Sequence, residues 1–107
     1  MENKLAEVYL KLGEVSMESE NYTQCIEDFC RCLFIRQKNF PSHDRQIAEV
    51  HYQLGISYYF DKQYETAKLQ YSLALKVLED RIHYLKDIIS NRKDGKKSSL
   101  GILLFRS

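Results

Sequence analysis

The fold is decided by two stretches of sequence, YLKLGEVSMESENYTQCIEDF at residues 9–29 and HYQLGISYYFDKQYETAKLQY at residues 51–71. In each stretch a Leu-Gly pair is followed, nine residues after the glycine, by a tyrosine, and then by a small residue and an aromatic residue. Gly13 and Gly55 lie 42 positions apart, and the other matching residues keep this spacing. Glycine inside a helix costs about 1 kcal/mol relative to alanine. Its repetition at one position therefore predicts a second helix that passes too close for a Cβ atom.

Apolar residues recur with helical spacing on both sides of these glycines and predict four helices. The apolar runs are Leu5–Val15, Tyr22–Leu33, Ile47–Tyr58 and Tyr64–Leu78, with a continuation towards Ile88. Pro41 interrupts the chain between the second and third runs, because proline lacks the N–H group that a helix interior needs. Ser42 and Asp44 are the candidate N-caps of the helix that follows.

The repeated pattern resembles the tetratricopeptide signature, in which a Leu-Gly pair precedes an A-x3-F segment. The spacing of 42 residues exceeds the usual period of about 34 residues, which predicts a longer helix pair or connection. We therefore predict an all-α fold. It consists of two tetratricopeptide-repeat hairpins in a short right-handed solenoid with an extended last helix.

The composition is typical of a small helical domain. The 107 residues include one proline and four glycines, too few for the turns of a β-sandwich or barrel. A hydrophobic content of 44% and a net charge of +1 exclude extensive disorder and argue against nucleic-acid binding through bulk positive charge. The charge is unevenly distributed, since residues 1–80 sum to −4 and residues 81–107 to +5.

The sequence contains no motif of an enzyme, a cofactor site or a metal site. A Gly-rich phosphate loop, an H-E-x-x-H pair and a G-x-S-x-G elbow are all missing. Cys25, Cys30 and Cys32 lack zinc-ligand spacing and are predicted to be reduced thiols packed in the core. His51, which replaces the large aromatic residue of the repeat, is also predicted to be a core residue. No secretion signal and no apolar run of the ~18 residues needed for a membrane span are present.

The first helix of each tetratricopeptide hairpin usually contributes to a concave, peptide-binding face. Counted from the Leu-Gly pairs, this face contains Glu7, Leu10, Glu14, Met17 and Glu18, and Glu49, Tyr52, Ile56, Tyr59 and Phe60. Carboxylates pair with Lys or Arg and aromatic rings stack on guanidinium groups, so the pattern suits a cationic segment. The alternative is a solvated helix face without a partner, because glutamate is a good helix former.

Three strings of sequence are more specific than the repeat itself. Residues 4–22 (KLAEVYLKLGEVSMESENY), 43–45 (HDR) and 48–55 (AEVHYQLG) resemble the nuclear autoantigenic sperm protein family of histone chaperones. The resemblance implies a nuclear and also cytoplasmic protein that binds core histones, notably histones three and four, with linker histone as a further candidate. It implies no cofactor, no direct nucleic-acid contact and no membrane partner.

The resemblance also suggests site residues. Glu49 and Tyr52 match groove positions of the family, so they are predicted to contact a histone segment. The groove geometry described above adds Glu7, Glu14 and Tyr59 as predicted histone-binding residues.

The sequence departs from the family's pattern near its ends. No match to the family's earlier repeat and acidic insertion precedes residue 1, and the match ends near residue 85. The chain therefore resembles a truncated or diverged copy, with a two-repeat domain at 1–90 and a basic, apolar tail at 91–107. About three repeats are usually needed for stability.

Two repeats are therefore expected to leave end faces open and to favour a homodimer. Ile82, Leu85 and Ile88 are expected to cover one end if the last helix folds back. The alternative function is a two-repeat scaffold that oligomerises and has lost histone binding.

Overall fold

The computed structural model describes residues 2–92, which form four helices. The helices are α1 (Glu2–Glu18), α2 (Tyr22–Asn39), α3 (Arg45–Phe60) and α4 (Tyr64–Asn91). α1 packs against α2 and α3 against α4 as hairpins, and α2 also packs against α3. The predicted all-α, tetratricopeptide-like fold is confirmed, and its last helix has 28 residues. The predicted tail comprises residues 91–107, of which 93–107 lie outside the described residues, whereas Asn91 is the last residue of α4.

The turns of the two hairpins have the same backbone conformation. Glu20 and Lys62, which are 42 positions apart, have φ values of +58° and +66°. In the first turn the amide of Asn21 donates to the carbonyl of Ser16 over 2.9 Å. In the second turn the amide of Gln63 donates to the carbonyl of Tyr58 over 2.8 Å, so both bonds span five residues. These bonds belong to the Schellman motif, which satisfies free carbonyl groups at a helix end and reverses the chain. The sequence repeat is therefore also a repeat of local structure.

The connection between the hairpins contains Pro41, as predicted. Asp44 is the N-cap of α3, because its Oδ1 accepts a hydrogen bond from the amide of Gln46 over 2.8 Å. Ser42, the other candidate, does not cap the helix. A carboxylate at this position also interacts favourably with the positive end of the helix dipole.

The two repeated glycines lie where the helices of each hairpin touch. A Cβ atom on Gly13 would overlap the ring of Phe29, and a Cβ atom on Gly55 would come within 2.6 Å of the Tyr71 ring. Atoms in a well-packed interior do not approach this closely. The close approach predicted from the sequence is confirmed in both repeats.

The main core has α2 at its centre. Cys25, Phe29 and Cys32 of α2 are completely buried, and Val50 and Leu54 of α3 belong to the same cluster. Apolar residues of both hairpins are thus buried in one cluster. The burial of apolar surface is the main favourable term in folding. The two hairpins are therefore joined by a shared core.

Two of the three cysteines have the predicted core role. The Cys25 thiol lies 2.9 Å from the Ser57 hydroxyl. That hydroxyl donates its one proton to the carbonyl of Gln53, so the thiol is the donor to Ser57. The prediction is wrong for Cys30, which is exposed. Its position is one residue beyond Phe29, and one residue turns a side chain about 100° away from the buried stripe.

The second hairpin buries His51, as predicted. Its Nδ1 lies 2.8 Å from Oε1 of Gln70, so the polar ring has a partner on α4. A buried polar group that is hydrogen-bonded in this way does not destabilise the core. His51 is therefore a structural residue that joins α3 to α4.

The far end of α4 differs from the prediction. The helix is continuous to Asn91 and does not fold back, so Ile82 and Leu85 remain exposed. Tyr84 instead stacks on His43 of the connection between α2 and α3, with ring centroids 4.2 Å apart. This contact holds the extension of α4 against the rest of the domain.

Candidate protein-binding groove

A groove of about 510 Å³ runs between α3 and α4. It contains two of the predicted histone-binding residues, and its lining consists of Arg45, Gln46, Ala48, Glu49, Tyr52, Ala74 and Leu78. Most of this surface is apolar, with a carboxylate and a guanidinium at the edge. Such a lining is typical of a groove that binds another protein segment.

The corresponding surface of the first hairpin is filled by α3. Arg36 of α2, which occupies the position of Leu78 in the repeat, is buried against α3, whereas Leu78 is exposed. Leu10 of α1 occupies the position of Tyr52 and is buried in the core cluster. The prediction that Leu10 faces a groove is therefore wrong. Because a helix fills the equivalent site, the α3–α4 groove has a shape that can accept a helix.

Glu49 is held in place by a buried arginine. Nη1 of Arg36 donates to Oε1 of Glu49 over 2.7 Å and to the carbonyl of Gln46 over 2.8 Å. The Arg36 side chain is 6% exposed, and that of Glu49 is 50% exposed. The contact fixes the Glu49 carboxylate at the groove and leaves its outer part accessible to a second cation. The same pairing reduces the negative charge that Glu49 presents.

Aromatic rings extend from the groove along α3 and α4. The rings of Tyr52 and Tyr71 lie 5.8 Å apart, and Tyr59 contacts both Tyr64 and Phe60 at 5.4 Å and 5.5 Å. Burial raises the pKa of Tyr71, and the neighbouring Tyr52 and Tyr59 raise this pKa further. The Tyr71 phenol is therefore neutral at physiological pH, and the surface presents ring faces and hydroxyl groups.

The buried thiol near this region belongs to Cys32 of α2. Burial raises the pKa of Cys32 to about 11, and the positive charge of Arg36 offsets only part of the rise. The thiolate is the reactive form of cysteine. Cys32 is therefore protonated, and so in its unreactive form, at neutral pH.

The structure does not bring the α1 residues into the groove. Glu7 lies on the outer surface of α1 beside Val8. Glu14 forms an exposed ion pair with Lys11 over 3.4 Å. An exposed pair of this kind contributes little to stability. Glu7 and Glu14 remain predicted contacts, on a surface separate from Glu49 and Tyr52.

Sequence reasoning did not identify Arg36 as part of the site. Arg36 lies seven residues after Phe29, which is two helical turns further along the same face. A charged residue on the buried face of a helix needs a charged or hydrogen-bonding partner. The position of Arg36 on the buried face of α2 therefore indicated that it has a charged or hydrogen-bonding partner. In the structure this partner is Glu49.

The described residues, 2–92, contain neither a metal site nor a membrane-spanning helix. No group of three His, Cys, Asp or Glu side chains in this range is arranged to hold a metal ion. None of the four helices combines the length and the apolar character that crossing a membrane would require.

Comparison with known proteins assigns these features to a family. Residues 6–43 match the family described as SHNi-TPR. This segment contains most of the first hairpin and most of the connection to α3, including Asp28 and Pro41.

Several relatives match most of the chain. Human nuclear autoantigenic sperm protein is 46% identical over 94 residues, which cover 88% of this chain and 12% of the relative. Histone-binding protein N1/N2 of Xenopus laevis is 43% identical over 79 residues, covering 74% of this chain and 13% of the relative. Protein HGV2 of Halocynthia roretzi is 40% identical over 99 residues, covering 92% of this chain and 19% of the relative.

The chain thus spans only a small part of the length of these relatives, and the match lies in its helical repeats. The sequence identity indicates the same family as the helical hairpins and the repeated Leu-Gly contacts do. The chain belongs to the nuclear autoantigenic sperm protein family of SHNi-TPR proteins.

Proposed function

We propose that the α3–α4 groove binds a basic segment of a core histone, as part of a histone chaperone. The observation that supports this most strongly is Glu49, which Arg36 holds over 2.7 Å beside Tyr52 in an open groove. The groove accepts a helix by analogy with the first hairpin, in which α3 fills the equivalent surface. One relative, from Xenopus laevis, is named a histone-binding protein.

The groove offers two kinds of contact to such a segment. A Lys or Arg side chain can pair with the exposed part of the Glu49 carboxylate, and a guanidinium can stack on Tyr52 or Tyr59. The aliphatic stem of the same side chain can pack on Leu78. Basic residues with neighbouring apolar residues on one helical face fit this combination better than a purely charged peptide does.

The groove is less acidic than the sequence suggested. Arg45 lies in its lining and Arg36 neutralises part of the Glu49 charge, so aromatic contacts provide much of the proposed affinity. The net charge of −4 over residues 1–80 acts at longer range. It attracts a basic protein during the encounter, an effect that salt weakens.

The proposal also covers the partners, the binding unit and the location of the chain. The partners are core histones three and four, with linker histone as a further candidate, and the two-repeat domain at 1–90 is the binding unit. Binding requires neither nucleic acid nor a membrane. The human relative is named a nuclear protein, and we propose a nuclear location, with a cytoplasmic pool, for this chain.

A titration of the full chain with a dimer of histones three and four tests the proposal. Replacing Tyr52→Ala should weaken binding at least about tenfold, the effect of losing about 1.4 kcal/mol at an aromatic contact. Phe34→Ala is a matched control, because Phe34 is an exposed aromatic residue outside the α3–α4 groove. It should change the affinity less than about twofold.

Glu49 needs a conservative substitution in this titration. Glu49→Gln keeps an oxygen that Arg36 can donate to, whereas Glu49→Lys would place a second cation beside the buried guanidinium. Histone binding that is equal in the wild-type chain, in Tyr52→Ala and in Glu49→Gln would refute the proposed site. An absence of binding by the folded wild-type chain would refute the proposed function.

A further inference from the structure

The outer face of α1 is an exposed apolar stripe. Its four side chains, Leu5, Val8, Leu12 and Val15, are 46% to 60% exposed. They follow one another at intervals of three and four residues, so they form one continuous face. A soluble helix normally buries such a face against a neighbour.

The second repeat shows what covers this face. The corresponding positions of α3, 42 residues later, are Ile47, Val50, Leu54 and Ser57, and each is at most 3% exposed. α2 packs on α3, and the buried contact between Cys25 and Ser57 lies at this junction. The stripe on α1 is therefore the surface on which a helix equivalent to α2 would pack.

A helix equivalent to α2 exists at the other end of the chain. α4 is the second helix of its repeat, as α2 is of the first. Leu75 of α4 is equivalent to Leu33 of α2, which packs against residues of α3. Leu75 is 59% exposed. Tyr71 and Leu78 are exposed on the same face, at the positions of the buried Phe29 and Arg36.

The two open faces are chemically matched at one informative position. Inside the chain, the polar pair Cys25 and Ser57 is buried between α2 and α3. In the register of the repeat, the open faces carry Ala67 in place of Cys25 and Val15 in place of Ser57. Both members of the polar pair are replaced by apolar residues, so neither side would bury an unpaired hydroxyl or thiol.

We propose that a second copy of the chain docks head to tail, with its α4 face on the α1 stripe of the first copy. The interface repeats the packing of α2 on α3. It therefore uses the face of α4 that borders the proposed histone-binding groove, and a second copy and a histone segment would compete for Leu78. Since the two surfaces differ, each bound copy leaves one free face of each kind. Heterologous contacts of this type do not close as a two-fold dimer, but continue into open chains or, where the rotation closes, into rings.

Sedimentation velocity of the full chain, from about 1 μM to about 1 mM, tests this inference over the range in which weak interfaces dissociate. The wild-type chain should grow beyond a dimer as the concentration rises. Val8→Glu and Leu75→Glu should each abolish association, because each places a charge on one of the two faces. Both residues are more than half exposed, so neither change disturbs the core.

The decisive sample is an equimolar mixture of the two variants. Each variant retains one intact face, so the mixture should form one-to-one dimers and nothing larger. Leu69→Glu is the matched control and should associate like the wild type. Leu69 is an exposed leucine of α4, but its counterpart on α2 is the solvated Glu27.

Three results would overturn the inference. A wild-type chain that remains monomeric at all concentrations would show that the faces do not bind each other. Dimers of Leu75→Glu alone would indicate a symmetric contact between α1 stripes, and dimers of Val8→Glu alone would indicate one between α4 faces. Circular dichroism of each variant confirms that a loss of association is not a loss of folding.

Discussion

The two hairpins have nearly the same local design but different surroundings. Gly13 lies under the ring of Phe29, and Gly55 lies under the ring of Tyr71, 42 positions later. Phe29 is completely buried, whereas Tyr71 is 36% exposed. The difference arises because α3 covers the first hairpin, while no helix within residues 2–92 covers the second.

This comparison shows how one repeat can serve two purposes. The position that holds Arg36 in a buried ion pair holds an exposed Leu78 in the second hairpin. In a solenoid each repeat gains stability from its neighbours. We infer that the groove of the second hairpin can bind a partner, whereas the equivalent groove of the first hairpin is already filled by α3.

The largest expected difference concerns the two aromatic rings. Phe29→Ala should lower the free energy of unfolding by about 3 to 5 kcal/mol, because it leaves a cavity in the core. Tyr71→Ala should lower it by only about 1 to 2 kcal/mol, since less apolar surface returns to water. Urea unfolding monitored by circular dichroism measures both values. Equal losses would mean that the two hairpins are equally buried.

The glycines should respond in the same order. Gly13→Ala should destabilise the chain by about 1 to 3 kcal/mol, because the buried ring of Phe29 cannot move away from the added methyl group. In Gly55→Ala the exposed Tyr71 ring can rotate outward, and the gain of about 1 kcal/mol in helix propensity offsets the remaining strain. Thermal unfolding of the two variants compares them. A larger loss for Gly55→Ala would contradict the comparison.

The glutamates at equivalent positions form the third test. Glu49→Gln should lower the free energy of unfolding by about 1 to 3 kcal/mol, since it weakens a charge-assisted hydrogen bond to a buried guanidinium. Glu7→Gln, 42 positions earlier, should change it by less than about 0.5 kcal/mol, because Glu7 lies on the surface. Chemical denaturation of both proteins measures the difference. If Glu49→Gln is neutral, Arg36 does not depend on Glu49.

The effect that is smallest at neutral pH is a pH dependence from Cys32, because it changes stability only above pH 9. Burial raises the pKa of this thiol from 9.0 to about 11 in the folded chain. Above pH 9 the unfolded chain releases the proton first, so the contribution to stability is present below pH 9 and is lost as the pH rises towards 11. Cys32→Ala, which introduces the residue found at position 74, should remove this part of the decline. Unfolding free energies measured from pH 8 to pH 11 test the prediction, and parallel curves for the two proteins would refute it.

Much of the fold could be predicted because the repeat determines it locally. The spacing of Gly13 and Gly55 predicted the two close helix contacts, and the apolar runs predicted all four helices. The structure confirms both predictions. The exposed Cys30, the buried Leu10 and the straight end of α4 differ from the expected packing.

The site was harder to predict because it depends on which surfaces remain uncovered. Leu10 and Tyr52 occupy equivalent positions, yet one is buried and the other is exposed. A single repeat contains no information about its neighbours, so the pattern alone assigned both residues to one face. The pairing of Arg36 with Glu49 also depends on how one hairpin packs on the other, and it lowers the charge of the groove.

Hydrogen exchange tests the central proposal most directly. Amide exchange of the full chain would be compared with and without a dimer of histones three and four. The account predicts that protection increases at residues 45–52 and 71–78, on the two sides of the groove, with little change at residues 22–33 of the buried helix α2. Protection confined to α1, or no change when histones are added, would contradict the account.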